Sequence, residues 1–340
     1  MEKRVLHKPD GRRLILYSRR PIPESLEAPS PSRTPPAKNS HLRYNPMRGE
    51  WAVYAGHRQN RTFLPPAEYD PLAPTIDPAQ PTEVPAGDYD VAVFENMFPS
   101  LGNPEDSAPA TLVPTKPAGG VCEVIVYTQD ANTSLGALPL DRIELIFEVW
   151  ADRYVELGKR PDVDYVFPFE NRGVEVGATL HHPHGQIYAY PFIPPIPALE
   201  LRQQLEFQRR DGRGLLADHL KAELADAQRI LYAGTHAIAF VPIFARYAYE
   251  VWVAPIRAAP SLADLTSAER ADLARALKIV LMKYDKLWGK PFPYVMVWHQ
   301  APTDGKPHPE AHAHAEFYPP YRMPGRLKYL AGSELGAGVF

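Results

Sequence analysis

The chain contains the stretch His182-Pro183-His184-Gly185-Gln186-Ile187-Tyr188, which returns 130 residues later as His312-Ala313-His314-Ala315-Glu316-Phe317-Tyr318. Each copy comes late in a series of two predicted strands, a helix and two further strands. Because the order of elements repeats together with the motif, we predict a duplicated unit whose two sheets fuse into one domain. Seven positions with four near-matches can also arise by chance, so the duplication is a hypothesis at this level.

The elements of this repeat are predicted from the spacing of apolar residues. Apolar residues recur three and four apart over 139–157 and again over 267–287, which indicates two helices with one buried face each. Thr266 and Glu269 form a capping box for the second, and shorter helical segments cover 197–233. Alternating or continuous apolar runs predict strands at 50–55, 89–94, 120–127, 164–169, 185–191, 237–241, 250–253, 294–298 and 312–318. The predicted fold class is α+β, with largely antiparallel sheets and helices packed on them.

The composition excludes several classes of protein. The 340 residues are 45% hydrophobic and 23% charged, close to the averages of folded domains. A net charge of -3 gives no field that attracts nucleic acid, and no apolar run is long enough to span a bilayer. The single cysteine, Cys122, excludes an intrachain disulfide, and residues 1–16 lack the apolar core of a signal peptide. We expect a cytoplasmic protein without nucleic-acid or membrane partners.

Proline is unusually frequent, with 39 residues, about twice its usual ~5% share. Many prolines lie in two stretches, 21–36 and 65–85, where they remove backbone donors and prevent a helix or a central strand. The first stretch favours a flexible leader over residues 1–39, and the second favours a loop between two strands. The remaining chain divides into a first half, 40–195, and a second half, 196–340.

Three polar side chains of the first motif are candidates for chemistry. Residues two apart on a strand point to the same face, so His182, His184 and Gln186 should project together. Such a polar face is costly to bury without a purpose, and Gly185 lets a ligand or a backbone approach closely. The alternative is an exposed strand edge whose histidines have no role. The glycine-containing segments just before the motif favour a ligand site, since their backbone donors can wrap phosphates.

A longer run of residues around this motif resembles the active-site segment of galactose-1-phosphate uridylyltransferases, which belong to the histidine-triad superfamily. The run is Phe169-Glu170-Asn171-Arg172-Gly173, Gly177, Thr179 and His182-Pro183-His184-Gly185-Gln186-Ile187. Further matches are Asn45-Pro46, Trp51, His57-Arg58, Arg61, Phe292-Pro293-Tyr294, Trp298-His299 and His312-Ala313-His314. The resemblance, from about residue 43 to residue 334, implies two histidine-triad-like halves, the first with a nucleophile and the second with a metal cluster.

The resemblance also implies a role for each matching residue. His184 matches the nucleophile that attacks the α-phosphorus of a UDP-sugar, while a backbone carbonyl holds its other ring nitrogen as N–H. Gln186 matches the side chain that donates to a phosphoryl oxygen, and His182 completes the catalytic motif. The substrate-binding candidates are Arg58, Arg61, Asn96, Asn171, Gly177, Thr179, Lys328 and Glu334. Outside this pattern, Arg58 and Arg61 would be ordinary surface charges.

A second group of residues is a candidate metal site. His312 and His314 lie on one face of a predicted strand, and His299 follows the strand before it. The resemblance adds Glu200, at the spacing from Gln186 where the family has a carboxylate ligand. Three imidazoles and one carboxylate suit Fe(II) or Zn(II) better than Mg(II) or Ca(II). In the family such a site lies far from the chemistry and stabilises the fold. A metal-free polar cluster is the alternative.

The chain departs from the family pattern at three places. Many members hold a zinc ion through two cysteines and two histidines, but the matching segment 70–76 has no cysteine, and Ala131 replaces one histidine. Only His182 of that set remains, so we expect no zinc site in the first half. Met97 stands where an acidic ribose ligand is expected, and Phe340 where a sugar-binding glutamine is expected. These two changes leave the preferred base and hexose open.

The resemblance implies transfer of UMP from UDP-glucose to galactose 1-phosphate by two displacements, a ping-pong mechanism through a uridylyl-histidine. One alternative is a relative that uses the same histidine on ADP-sugars or dinucleoside polyphosphates, with phosphate as acceptor. Another is a catalytically silent nucleotide-binding protein, against which the presence of both His184 and Gln186 argues. The expected partners are a UDP-sugar and a hexose 1-phosphate, and a homodimer is expected because the family is usually dimeric.

Overall fold

A computed structural model of the chain describes residues 1–36, 39–60 and 69–340. Within them the helices are α1 (Leu140–Gly158), α2 (Pro195–Asp211), α3 (Leu215–Asp226) and α4 (Ser267–Leu287). The strands are β1 (Glu2–His7), β2 (Arg13–Ser18), β3 (His41–Asn45), β4 (Glu50–Tyr54), β5 (Pro74–Thr75), β6 (Val84–Pro85), β7 (Val91–Glu95), β8 (Thr115–Pro117), β9 (Val121–Val126), β10 (Tyr165–Arg172), β11 (His184–Tyr190), β12 (Ile230–Ala233), β13 (Ala237–Phe240), β14 (Val251–Pro255), β15 (Tyr294–His299), β16 (His314–Tyr318), β17 (Tyr321–Met323) and β18 (Arg326–Leu327). Among the described helices, none is both long and apolar enough to cross a membrane.

One antiparallel sheet of 11 strands dominates the structure, in the order β1-β2-β7-β9-β11-β10-β15-β16-β14-β13-β12. β10 and β15 pair near its middle, with Phe169 opposite Val297 and Arg172 opposite Tyr294. Outward from this pair, the strands of the two sides correspond in order: β11, β9, β7 and β2 on one side, and β16, β14, β13 and β12 on the other. The two histidine motifs occupy the same position, at the start of β11 and of β16. The α+β class and the predicted duplication are confirmed.

The helices α1 and α4 pack against each other and against the sheet. The spacing of apolar residues in α1 puts Ile143, Phe147 and Trp150 on its inner face, where all three are buried. The Trp298 ring on β15 lies 5.4 Å from that of Phe147 and 5.9 Å from that of Trp150. The largest core cluster therefore includes residues from both halves and holds the central strands in register.

The N-terminal segment differs from the flexible leader expected over residues 1–39. β1 and β2 form a hairpin, and β2 pairs with β7 as part of the main sheet. Leu14 is fully buried, and the buried guanidinium of Arg12 donates to Glu83 at 2.9 Å. The apolar run 14–17 supplies this strand, and the prediction missed it because it gave more weight to the charges and prolines around the run.

Candidate active site and metal centre

His184 is the first residue of β11 and lies half-buried between the neighbouring strands β9 and β10. Its Nδ1 is 2.7 Å from the carbonyl oxygen of His182, so this nitrogen carries a proton and donates it. Nε2 is then left with a lone pair. Burial lowers the pKa of His184, and the nearby His182 ring acts in the same direction, so the imidazole is neutral at pH 7. A neutral imidazole in one fixed tautomer is suited to nucleophilic attack.

Close packing beneath β11 requires glycine at position 185, directly after His184. A Cβ on Gly185 would lie 2.1 Å from the hydroxyl oxygen of Tyr127 and 2.9 Å from the carbonyl oxygen of Phe169. Real Cβ atoms do not tolerate such distances, so only glycine lets β11 lie here. The close approach inferred from the sequence is therefore made by a buried tyrosine of the protein itself.

A cavity of about 240 Å³ opens beside His184. It brings together five of the predicted site residues, which come from four separate parts of the chain: Arg58, Asn96, Thr179, His184 and Gln186. Apolar side chains, among them Leu72, Phe94 and Val124, form much of the remaining wall. A second cavity, of about 220 Å³, also has His184 in its lining and includes Asn171. An apolar wall with a few convergent polar groups is typical of a small-molecule site.

Hydrogen bonds to the protein orient two of the lining side chains. Arg58 lies in a short 3-10 turn, and its Nη1 donates to the hydroxyl of Tyr188 at 3.2 Å. Asn96 follows β7, and its side-chain oxygen accepts from the backbone N–H of Phe98 at 2.8 Å. Both side chains are therefore held at the cavity wall. Arg61, the predicted partner of Arg58, lies outside the described residues.

Three other predicted contacts do not line the cavity beside His184. Gly177 lies two residues before Thr179 with φ +77°, a left-handed conformation that glycine adopts readily. Lys328 and Glu334 form an ion pair at 2.9 Å on the C-terminal segment. Their role as substrate contacts stays a prediction.

His182 lies differently from the shared strand face expected for it. The ladder of β11 begins only at His184, because Pro183 has no N–H to donate. The Nδ1 of His182 is 2.6 Å from a carboxylate oxygen of Asp70, and its Nε2 is 2.8 Å from the carbonyl oxygen of Thr128. Both ring nitrogens are therefore occupied by protein acceptors, and the backbone carbonyl of His182 makes the contact with the nucleophile.

A second cluster of ligand-type side chains joins α2 to β15 and β16. Ligand atoms of Glu200, His299, His314 and Glu316 all lie within 4.8 Å of one another. Nδ1 of His299 is 2.6 Å from a Glu200 oxygen, and Nε2 of His314 is 3.3 Å from a Glu316 oxygen. Two imidazoles and two carboxylates, three of the four residues being buried, fit a divalent transition metal. The second half therefore contains a group that can hold such an ion.

His312 lies beside the converging group but is not among its four residues, so its role as a ligand stays a prediction. Its Nε2 is 2.8 Å from the carbonyl oxygen of Pro255, and its buried Nδ1 has no hydrogen-bond partner among the described residues. It lines a small cavity next to Glu200 but stands outside the group whose ligand atoms converge. Glu316 completes that group instead. The signal was present in the sequence, because a period of two puts Glu316 on the same strand face as His314.

Family models cover most of the chain. The N-terminal domain of galactose-1-phosphate uridyl transferase matches residues 32–194, and the C-terminal domain of the same enzyme matches residues 200–327. The chain belongs to this family. The galactose-1-phosphate uridylyltransferase of Thermotoga maritima is 38% identical over 305 residues, which cover 88% of this chain and 93% of that relative.

Solved structures of two enzymes share the fold. A uridylyltransferase superposes with a TM-score of 0.78 at 33% identity, over 88% of this chain and 93% of that chain. An ADP-glucose phosphorylase from Arabidopsis thaliana superposes with a TM-score of 0.66 at 22% identity, over 88% of this chain and 94% of that chain. At this lower identity the second likeness establishes the fold alone.

Proposed function

We propose that this chain is a nucleotidyltransferase that moves UMP from UDP-glucose to galactose 1-phosphate, with His184 as the covalent carrier. The observation that carries the proposal is the 2.7 Å hydrogen bond from Nδ1 of His184 to the carbonyl oxygen of His182. It fixes one tautomer of a neutral ring beside a cavity lined by Arg58 and Gln186. Family membership supports the acceptor and the transferred group, since the Thermotoga relative is named a galactose-1-phosphate uridylyltransferase.

In the first half-reaction the lone pair on Nε2 of His184 attacks the α-phosphorus of UDP-glucose. The bond from that phosphorus to the bridging oxygen breaks, and glucose 1-phosphate leaves with its electron pair. UMP stays attached through a P–N bond, and the ring becomes positively charged because Nδ1 keeps its proton. The carbonyl oxygen of His182 accepts a stronger hydrogen bond from the charged ring, which stabilises the intermediate.

In the second half-reaction a phosphate oxygen of galactose 1-phosphate attacks the same phosphorus. The P–N bond breaks, its electron pair returns to Nε2 of His184, and UDP-galactose leaves. The ring is neutral again, so the cycle closes without net proton transfer. Because glucose 1-phosphate leaves before the acceptor reacts, the kinetics are ping-pong.

Two side chains at the cavity are proposed to serve the transferring phosphoryl group. Gln186 lies two residues after His184 and lines the same cavity, where its amide N–H can donate to the charge that builds on a phosphoryl oxygen. Arg58 supplies a guanidinium to the phosphates, and Arg61 is proposed to assist it. Asn96 is proposed to contact the nucleoside from the far wall of the cavity.

The second half is proposed to hold one iron or zinc ion through Glu200, His299, His314 and Glu316. When bound, such an ion cross-links α2 to two strands of the sheet and so stabilises the fold. Three strand spacings separate β16 from β11, about 14 Å, so this group takes no direct part in UMP transfer. No zinc ion is proposed for the first half, where the remaining histidine, His182, is hydrogen-bonded to protein acceptors.

A cytoplasmic homodimer is proposed as the working form. Lys328 and Glu334 are the predicted contacts of the hexose 1-phosphate, yet they do not line the cavity beside His184 of their own chain. The C-terminal segment of a second subunit can supply them. Each catalytic site would then be complete only in the dimer.

A second candidate function is transfer of a different nucleotide, for example AMP from an ADP-sugar to phosphate. Met97 favours it, because this thioether lines the cavity at the position where the family pattern has an acidic ribose ligand. The fold shared with the ADP-glucose phosphorylase is compatible with both reactions.

Incubation of the pure protein with UDP-glucose alone, followed by intact mass measurement, tests the proposal. The wild type is expected to gain one UMP, and the His184→Ala variant is expected to gain none. An adduct from ADP-glucose but none from UDP-glucose would favour the second function. Absence of an adduct from either donor would contradict covalent transfer.

A further inference from the structure

A chain of polar contacts connects the loop at residue 70 to the nucleophile. A carboxylate oxygen of Asp70 lies 2.6 Å from Nδ1 of His182, and the carbonyl oxygen of Thr128 lies 2.8 Å from Nε2 of the same ring. The carbonyl oxygen of His182 in turn accepts from Nδ1 of His184 at 2.7 Å. Asp70 does not line the cavity beside His184, and its hydrogen bond is made to His182.

The two contacts fix the His182 ring in place. Asp70 approaches one ring nitrogen and the carbonyl oxygen of Thr128 approaches the other, so the ring has a protein partner on both sides. His182 is 2% exposed, and a buried polar ring is costly unless it is hydrogen-bonded. Burial would raise the pKa of Asp70, but the hydrogen bond from His182 lowers it below its usual value, so the carboxylate is ionised.

We propose that Asp70 is a positioning residue for UMP transfer: it holds the His182 ring in place, and the anchored residue fixes the carbonyl which orients His184. The inference rests on the proposed function, because it takes His184 as the nucleophile. Anchored at both nitrogens, the His182 residue cannot turn its peptide group. Its carbonyl oxygen therefore stays where it selects one tautomer and one ring orientation of His184.

The same arrangement has an electrostatic effect on the nucleophile. Burial lowers the pKa of His184 and the nearby His182 ring lowers it further, whereas the negative charge of Asp70 raises it. The net direction is downward, so the nucleophile stays neutral at pH 7.

Single-turnover transfer of UMP to His184, followed by quenching and intact mass, tests the inference in the full-length protein. Asp70→Ala removes the anchor and is expected to slow transfer at least about 10-fold, with the affinity for UDP-glucose within about threefold of wild type. Asp70→Asn keeps the shape and one hydrogen bond to Nδ1, so it should retain more of the rate. Asp77→Ala is the matched control: this exposed carboxylate lies in the same segment and, among the described residues, accepts only from the backbone N–H of Ala79.

A spectroscopic readout separates positioning from a general loss of structure. With histidine-selective nitrogen-15 labelling, wild-type His184 is expected to show one tautomer, protonated at Nδ1, at neutral pH. Asp70→Ala should give a mixture of His184 tautomers while the remaining spectrum stays unchanged. An unchanged His184 tautomer in Asp70→Ala, or an Asp70→Ala variant that transfers UMP at the wild-type rate, would overturn the inference.

Failure of the proposed function would be recognised separately. If the wild type accepts no UMP from UDP-glucose, the proposed donor is wrong, whatever Asp70 does. The nitrogen-15 spectrum then decides the positioning role alone. His184 should be a single tautomer protonated at Nδ1 in the wild type and a mixture of tautomers in Asp70→Ala, and an unchanged tautomer in that variant would contradict it.

Discussion

His184 depends on one backbone acceptor for its chemical state. A free neutral imidazole populates both tautomers, but the carbonyl oxygen of His182 at 2.7 Å selects the form with the proton on Nδ1. Burial keeps this ring neutral, because a charged ring would lose solvation. The residue therefore needs no separate general base, and its reactivity follows from its position at the start of β11.

The pH dependence of the first half-reaction should report this environment. The pKa of His184 is lowered from the ordinary value of 6.5, and only the neutral ring can attack. The single-turnover rate is therefore expected to reach its plateau at higher pH and to fall to half of that plateau only below pH 6.5. Circular dichroism at each pH verifies that the chain is folded. An apparent pKa above the ordinary value would show that burial does not control this ring.

Gln186 should matter for the rate more than for binding. Its amide is proposed to donate to charge that develops only as the phosphoryl group transfers, so Gln186→Ala is expected to slow single-turnover UMP transfer by about 10² to 10³. The affinity for UDP-glucose, measured by calorimetry on the His184→Ala background, should change little. Gln228→Ala, which removes an exposed amide far along the chain, is the control. A loss of affinity that equals the loss of rate would assign Gln186 to ground-state binding.

At the scale of elements, the sequence predicted what local patterns encode. The helix expected over 267–287 is α4, Ser267–Leu287. It was predicted because the residues of its capping box and of its apolar face lie in this one stretch of sequence. The backbone N–H of Glu269 donates to Oγ1 of Thr266 at 3.3 Å. The backbone N–H of Thr266 donates to the Glu269 carboxylate at 2.8 Å. Strands β9, β11 and β15 were found for the same reason.

Local patterns alone do not predict contacts between distant segments, for a physical reason. Asp70 and His182 are 112 residues apart, and nothing in either local sequence specifies that they meet. The sheet order brings them together. The N-terminal hairpin was missed because its short apolar run lies among charges and prolines, and the pairing with β7, a strand about 75 residues further on, that stabilises β2 is not visible locally. The nucleophile was found because His184 and Gln186 lie two residues apart on one strand.

The metal-type cluster should act on stability and leave the chemistry nearly unchanged. It connects α2 to β15 and β16, so an ion bound only in the folded state raises the melting temperature. Removal with a chelator, or Glu200→Gln, is expected to lower Tm, at about 2–4 °C per kcal/mol lost. The rate of UMP transfer to His184 should stay within about threefold, because β15 and β16 lie two and three strand spacings from β11, about 10 and about 14 Å.

Metal content by mass spectrometry and Tm by calorimetry check this expectation. Glu206→Gln, an exposed position on the same helix, is the matched control for α2 and should leave both unchanged. Loss of UMP transfer on chelation, with an unchanged Tm, would contradict a structural role.

At the scale of the whole molecule, the two halves share the same arrangement of histidines but differ in the chemistry that it supports. Nδ1 of His314 donates to the carbonyl oxygen of His312 at 2.8 Å, just as His184 donates to His182 in the first half. Two residues further on, the first half has Gln186 and the second has Glu316. An amide can donate to a phosphoryl oxygen, whereas a carboxylate repels phosphate and suits a cation. This single difference is consistent with a nucleophile in one half and a metal site in the other.

The proposed dimer predicts that two inactive variant chains form one active site when they are combined in the same dimer. If the hexose contact of each site comes from the second subunit, a mixed dimer of His184→Ala and Glu334→Ala chains has one site with both native residues and one site with neither. Co-expressed with different tags and purified as the mixed dimer, it should form UDP-galactose at about half the wild-type rate. The homodimer of either variant should be nearly inactive.

A mixed dimer of His184→Ala with the doubly substituted chain is the control and should show no recovery. If Glu334 acts within its own chain, the first mixed dimer would contain no intact site and would also stay inactive, which would place the hexose contact in the same subunit as His184.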